Sequence, residues 1–385
     1  MSQLAPDRDR LIRTFITLAE IDSPSLEEAA IAQFVRAELE SPGWHVRDDR
    51  SGPQVGNLLA QWPGPQQSAV PVLLSTHLDV VKPCRGVRPH VRDGMIESDG
   101  TTVLGADAKA GVAALLEAVR VLHEADRADL AAGLELLFTW GEEVGHGGAK
   151  AFDRSLARAT YGFVLDALMP VGSIVVAAPT YLAFTVNVKG RAAHAGVEPE
   201  RGISAIAVAA RAIDRLAWGR LDDITTTNIG TITGGSARNA VPESVELIGE
   251  IRSLDAERVS ARQRLMLDTF QATARDFEAQ IHVNVEQVYA GFRLSESAPC
   301  VQQAQRAFAA LGGVADLVST GGGSDANEFN AAGLECCVLG IGAELCHSVR
   351  ERISVSELVR LTDWVLAIAA DGWSRRSPGT EIWAK

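Results

Sequence analysis

The sequence lacks a long apolar run, a surplus of basic residues and any paired-cysteine spacing, and each absence removes a class of protein. No stretch approaches the roughly 18 consecutive apolar residues of a membrane span, so no membrane segment is expected. Met1 to Arg13 mixes Asp and Arg without the apolar core of a secretory leader, which gives a cytoplasmic location as the expectation. Lys and Arg number 36 against 49 Asp and Glu, a formal net charge of -13. Nucleic acid and anionic membrane reward clustered basic residues, so neither is expected as a partner. The five cysteines (Cys84, Cys300, Cys336, Cys337 and Cys346) are odd in number and show no CxxC spacing, which excludes a disulfide framework and a zinc knuckle. Adjacent Cys336 and Cys337 lie in an apolar run and read as core. There is no internal repeat and no low-complexity linker. Gly321-Gly322-Gly323 is not followed by Lys-Ser or Lys-Thr, so it is not a Walker phosphate loop.

What is there is a chain of 385 residues, 46% hydrophobic, long enough for two domains. Leu11, Ile12, Phe15, Ile16 and Ala19 recur at helical spacing, and Ser25-Leu26-Glu27-Glu28 reads as a capping box opening a second helix from Ala29 to Leu39. Short strands follow at Asn57 to Trp62 and Ala69 to Ser75. The loop Gly105 to Gly111 leads into a helix whose Val112, Leu115, Leu116, Val119 and Leu122 form one apolar stripe. Leu134 to Trp140 and Tyr161 to Asp166 are further strands. This alternation predicts an α/β fold, a mostly parallel sheet with helices on both faces.

From about Val175 the texture changes. Leu182 to Val188, Thr225 to Thr233, Val245 to Ile251 and Ile281 to Val288 read as strands, with helices at Ser204 to Leu216 and Ala256 to Ala279. That β-α-β-β-α-β order describes a smaller α+β, ferredoxin-like domain over 177–291, inserted into a discontinuous larger domain of 1–176 and 292–385. Pro299 to Leu311 is then helical, Cys336 to Gly340 a buried strand and Val355 to Asp371 a closing helix, with Arg375 to Lys385 an untethered tail.

The chemistry-bearing residues cluster at strand ends. Glu142 and Glu143 follow an apolar strand, and two adjacent carboxylates there repel one another unless a cation is near; no Lys or Arg follows until Lys150. His77 and Asp79 end another strand, Asp166 a third, and His347 follows a fourth, while Asp107 sits at the mouth of a helix. In open α/β sheets such ends meet at one rim. Two imidazoles with several carboxylates suit Zn²⁺ or a similar divalent ion, and the number of carboxylates suits two ions better than one. Read singly, each residue has a plainer role: Asp107 as a helix cap, Asp166 and Asn239 as turn formers, His194 as a turn histidine, Arg252 as half of an ion pair.

Thr76-His77-Leu78-Asp79, Gly105 to Gly111, Gly141-Glu142-Glu143-Val144-Gly145, Asp166, His194-Ala195-Gly196 and His347 resemble, in order, the M20 metallopeptidases. Ala193 to Glu200 and Ser324 to Asn330 are most similar to the peptidase T-like branch. The resemblance runs from Ser25 to about Leu358. It implies that His77 and Asp166 hold one metal ion, that Glu143 and His347 hold the other, and that Asp107 bridges. The ions would be two divalent cations, Zn with Co or Mn as alternatives. It further implies that Asp79 orients His77, and that Glu142 is the general base that takes a proton from the attacking water and delivers it to the leaving amine. His194 would reach the active site of a partner subunit and stabilise the oxyanion, in a homodimer formed through the inserted domain. Asn239, Arg252, Gly322 and Gly323 match substrate-binding positions. Ala108 departs from the many relatives that carry an acidic or amide residue there. His45, His90, His123, His146 and His282 match no ligand position and are expected to be structural or solvated.

The activity implied is hydrolysis of short peptides with release of the N-terminal residue. The rival readings are a carboxypeptidase or N-acyl-amino-acid amidohydrolase built on the same centre, and a non-catalytic binding homologue. Loss of Glu142 or of a ligand would mark the last, and none is lost.

Overall fold

The computed structural model describes residues 4–63 and 70–374; the tail expected from Arg375 lies outside the described residues. The chain divides into two compact units. The larger draws on the chain up to Val176, on Leu294–Ser319 and on the chain from Ser324; the smaller comprises Ala177–Arg293 with Thr320–Gly323.

The larger unit is built on a sheet with the order His45–Asp48, Leu58–Gln61, Leu134–Thr139, Val72–His77, Tyr161–Ala167, Glu335–Gly340, Ser173–Ala178. The four central strands from Leu134–Thr139 to Glu335–Gly340 pair in parallel, and the flanking ones pair antiparallel. Every residue of Val72–His77 and of Leu134–Thr139 is buried, so both faces of these strands are covered, as parallel strands require. Glu135 is tolerated inside because its carboxylate accepts from the backbone N–H of Arg158 and Ala159 and from Gln61 Nε2.

The helix Ala106–Glu124 is buried almost all round along its first three turns, wider than the single apolar stripe expected. Arg8–Glu20 and Val355–Ser374 pack on it. Its small residues permit a close approach: a Cβ on Gly111 would stand 2.6 Å from Thr76 Oγ1 and 2.9 Å from the Leu165 carbonyl. Glu117 on this helix is fully buried and is held by Arg10, whose Nε donates at 2.8 Å.

Two local expectations fail. The second helix is Ala29–Glu40, and its cap residue Glu28 makes no side-chain cap bond. Leu26 takes a left-handed φ of 72°, which turns the chain so that Glu28 Oε1 accepts from Leu26 N and Gly141 N instead. A second sheet, of order Ala343–Glu344, Arg352–Ser354, Met95–Glu97, His90–Arg92, went unpredicted because its strands are two or three residues long.

The smaller unit is a five-stranded antiparallel sheet ordered Gly219–Asp222, Thr225–Gly234, Ser244–Ser253, Thr180–Lys189, Gln280–Tyr289. Alternate residues Leu182, Phe184, Val186 and Val188 point to one face. There they form a core with Val208 and Ala212 of helix Ala205–Asp214 and Met266 and Phe270 of helix Ala256–Asp276. Gly219–Asp222 is an edge strand beyond the six elements expected. Among the described residues, no helix is long and apolar enough to cross a membrane.

Candidate active site

The central parallel strands deliver their C-terminal ends to one rim of the larger unit. His77 is the last residue of Val72–His77, Asp166 the penultimate one of Tyr161–Ala167, and Glu142 and Glu143 turn away just after Leu134–Thr139. His347, with a left-handed φ of 61°, lies in the hairpin between Ala343–Glu344 and Arg352–Ser354, so the small second sheet carries it.

His77 Nδ1 stands 2.9 Å from the Asp79 carbonyl oxygen and 3.4 Å from Asp79 Oδ1, so it carries a proton. Nε2 then faces Asp166 Oδ1 at 3.2 Å and Asp107 Oδ1 at 3.3 Å. A ring nitrogen facing two carboxylate oxygens calls for positive charge between them, from a second ring proton or from a bound cation. The other oxygen of Asp107, Oδ2, is 3.1 Å from His347 Nε2, which is also 3.3 Å from Glu143 Oε1. That Glu143 oxygen is buried and has no hydrogen-bond partner; its approach to His347 lacks hydrogen-bond alignment. A buried carboxylate oxygen with no donor is costly, and a bound cation removes the cost.

Donor atoms of His77, Asp107 and Asp166 lie within 4.8 Å of one another, as do those of Asp107, Glu143 and His347. The two sets share Asp107, with one oxygen turned to each. Imidazole and carboxylate in this mixture fit borderline divalent metals. A third grouping, His77, Glu142 and Glu143, overlaps both, but Glu142 Oε1 is already 3.3 Å from His146 Nε2. Burial pushes the Asp166 carboxyl well above the usual carboxylate range against the pull of His77. Burial likewise pushes Glu142 up to about 7, opposed by His146. For Asp107 burial acts upward too, yet His347 and His77 hold the carboxyl below its ordinary value. Asp107 and Glu143 raise His347 to about 10.

The structure adds supporting contacts to the sequence reading. Asp79 does more than orient His77: its carboxylate accepts from Glu142 N at 2.9 Å and Glu143 N at 3.2 Å, while its carbonyl makes the shorter contact to the imidazole. Glu351 is buried and accepts from the backbone N–H of Leu104, Gly105 and Asp107 at 2.8–3.0 Å. It thereby holds Asp107, whose ψ of 106° is not helical, at the entrance to its helix. Asp325 accepts from Thr139 Oγ1 at the end of the strand before Glu142. No spacing rule points to Glu351, which is 244 residues from Asp107. His146, expected to be structural or solvated, is 4% exposed and contacts Glu142; its i,i+4 spacing from Glu142 was the available signal.

In the smaller unit, His194 and Asn239 sit on paired loops. His194 and Ala240 form an isolated bridge, and the Asn239 carbonyl accepts from Ala195 N at 3.0 Å. Both side chains are exposed. His194 Nδ1 accepts from Gly196 N at 3.2 Å, which leaves the proton of the neutral ring on Nε2 as a donor. Arg252 makes a bidentate pair with Glu250 at 3.1 Å, lies 4.1 Å over the Tyr181 ring and donates to Tyr289 Oη at 3.0 Å. Gly322 N donates to Thr320 Oγ1. Gly323 admits the Tyr289 ring, which a Cβ would meet at 2.3 Å.

Comparison with known proteins bears on the family and the fold. The crystal structure of aminopeptidase PepT from Bacillus cereus is 38% identical, with a TM-score of 0.89 over 96% of this chain and 100% of that one. That of a tripeptidase from Staphylococcus aureus is 38% identical, with a TM-score of 0.91 over 96% and 99%. The uncharacterised protein YqjE of Bacillus subtilis is 39% identical over 93% of this chain and 97% of its own length. Residues 73–371 match the profile of Peptidase family M20/M25/M40. The chain thus belongs to that family, and it is a hydrolase of peptide bonds.

Proposed function

We propose that the protein is a dinuclear metal-dependent peptidase that hydrolyses short peptides and releases the N-terminal residue. The observation that carries this reading is the pair of three-residue donor sets sharing Asp107, with the buried carboxylate of Glu142 beside them. In it, His77, Asp107 and Asp166 hold one ion and Asp107, Glu143 and His347 the other, with Zn favoured by the donor types and Co or Mn as alternatives. Bound there, the metals supply Lewis acidity toward the scissile carbonyl and lower the pKa of the attacking water. Glu142 takes the proton and passes it to the leaving amine. Asp79 and Glu351 hold the two turns on which these groups sit. His194 offers Nε2–H toward the developing oxyanion in the active site of a partner subunit, and Asn239, Arg252, Gly322 and Gly323 are the substrate-binding positions.

The peptidase-T-type relatives support the N-terminal preference. A homodimer through the smaller unit belongs to the same proposal; Ile206 of its helix and Ile232 on the helix-bearing face of its sheet are exposed there. Five free cysteines support a cytoplasmic setting.

The test is a panel of di- and tripeptides with free amines, N-acylated amino acids and amino-blocked peptides, assayed with and without chelator. The expected result is chelator-sensitive cleavage of free-amine peptides alone. Cleavage confined to N-acylated substrates would instead establish the amidohydrolase reading.

A further inference from the structure

Glu142 must keep one carboxylate oxygen directed at the reacting water, yet it sits on a turn between a strand and a short helix, where side-chain rotation is not restrained by regular structure. The backbone closes this turn with His146 N donating to the Glu142 carbonyl at 2.9 Å and Gly145 N donating to it at 3.0 Å. His146 then adopts a left-handed φ of 59°, which is uncommon for a residue with a side chain. The result returns the imidazole to the glutamate: His146 Nε2 is 3.3 Å from Glu142 Oε1. The opposite ring nitrogen, Nδ1, is 3.4 Å from Glu328 Oε1 on helix Asp325–Ala331. Imidazole and Glu142 are both buried, at 4% and 8% exposure. Both ring nitrogens therefore face carboxylates, the arrangement in which an imidazole is fixed at both ends. Nothing in the proposed reaction requires a histidine in this place, and the left-handed backbone there would suit glycine better.

Resting on the reading of Glu142 as the base, we infer that His146 is a positioning residue for the reaction: anchored by Glu328, it holds Glu142 by Oε1 and so leaves Oε2 to exchange the proton with water and leaving amine. The line Glu328–His146–Glu142 ties the base to helix Asp325–Ala331, which a second contact, Asp325 to Thr139, ties to the strand preceding Glu142. A misplacement of the order of 1 Å at a reacting group costs about 10²-fold in rate, so restraint of this one torsional freedom is a sufficient reason for the device.

The experiment uses the full-length metal-loaded protein, with metal content measured for every variant. His146→Leu should lower kcat about 10²-fold with KM changed less than threefold and metal content unchanged. His146→Gln, whose amide can still donate to Glu142, should recover at least tenfold of that loss. His146→Gly suits the left-handed backbone and opens space for a free ring, so added imidazole should raise its kcat; imidazole should do nothing for Glu142→Gln. These variants remain informative if His146→Leu does not fold. The inference is overturned if His146→Leu keeps kcat within threefold of the wild type. It is equally overturned if the loss follows metal content, or if neither Gln nor imidazole restores rate. Turnover retained in Glu142→Gln would instead strike the role of Glu142 itself, a separable outcome.

Discussion

The rim of the larger unit and the exposed loops of the smaller one hold their candidate site residues by different means. On the rim, single residues serve several partners: Asp107 faces two imidazoles, and Asp79 meets one imidazole through its carbonyl and two backbone N–H groups through its carboxylate. On the loops, His194 and Asn239 are held through main-chain bonds with their side chains exposed. The rim is thus prepared by burial in the larger unit, where moving one group disturbs several. The loops can vary a side chain with little consequence for the structure beneath.

The sharpest test of the contrast is on the rim. Glu142→Gln should lower kcat by about 10²- to 10⁴-fold, the usual range for a general base, with metal content and thermal midpoint unchanged. Asp79→Ala should cost activity and stability together, because two buried turn N–H groups lose their acceptor at about 1–3 kcal/mol each. Urea unfolding beside steady-state kinetics measures both, and a stable Asp79→Ala protein would break the claim that this carboxylate holds the Glu142–Glu143 turn. Glu351→Gln should weaken metal binding by about 10- to 100-fold, read by chelator competition, without altering substrate preference. Smallest in structural effect is His194→Ala, which should change stability by less than about 0.5 kcal/mol and leave metal affinity untouched while reducing kcat. A drop in metal affinity in His194→Ala would erase the distinction between rim and loops.

The sequence showed most of what periodicity and chain order can carry. Val72–His77, Leu134–Thr139 and Tyr161–Ala167 were visible as apolar runs, and the smaller unit's alternation was visible because one face of its sheet is buried against two helices. What was not visible depends on contacts far apart in the chain. Glu351 reads as an ordinary acidic residue until three N–H groups of the Leu104 to Asp107 loop are found on it. The Ser25 to Glu28 stretch matched a capping pattern, but Gly141 N competes for the same glutamate and wins because it too is buried. The strands that carry His347 are too short for any period to register. Arg252 keeps both readings in view, since its guanidinium already pairs with Glu250 on its own strand.

The discontinuity of the larger unit also sets an order of events during synthesis. Strand Glu335–Gly340 fills the place between Tyr161–Ala167 and Ser173–Ala178, and His347 follows it, about 180 residues after Asp166. At roughly 5–20 residues per second, the ribosome needs on the order of ten seconds or more to make that interval, during which the whole smaller unit is completed. Until then the sheet has a gap, and the donor set of Asp107, Glu143 and His347 lacks its imidazole. On the proposed reading, a growing chain therefore offers the donor set of His77, Asp107 and Asp166 well before the second set is complete.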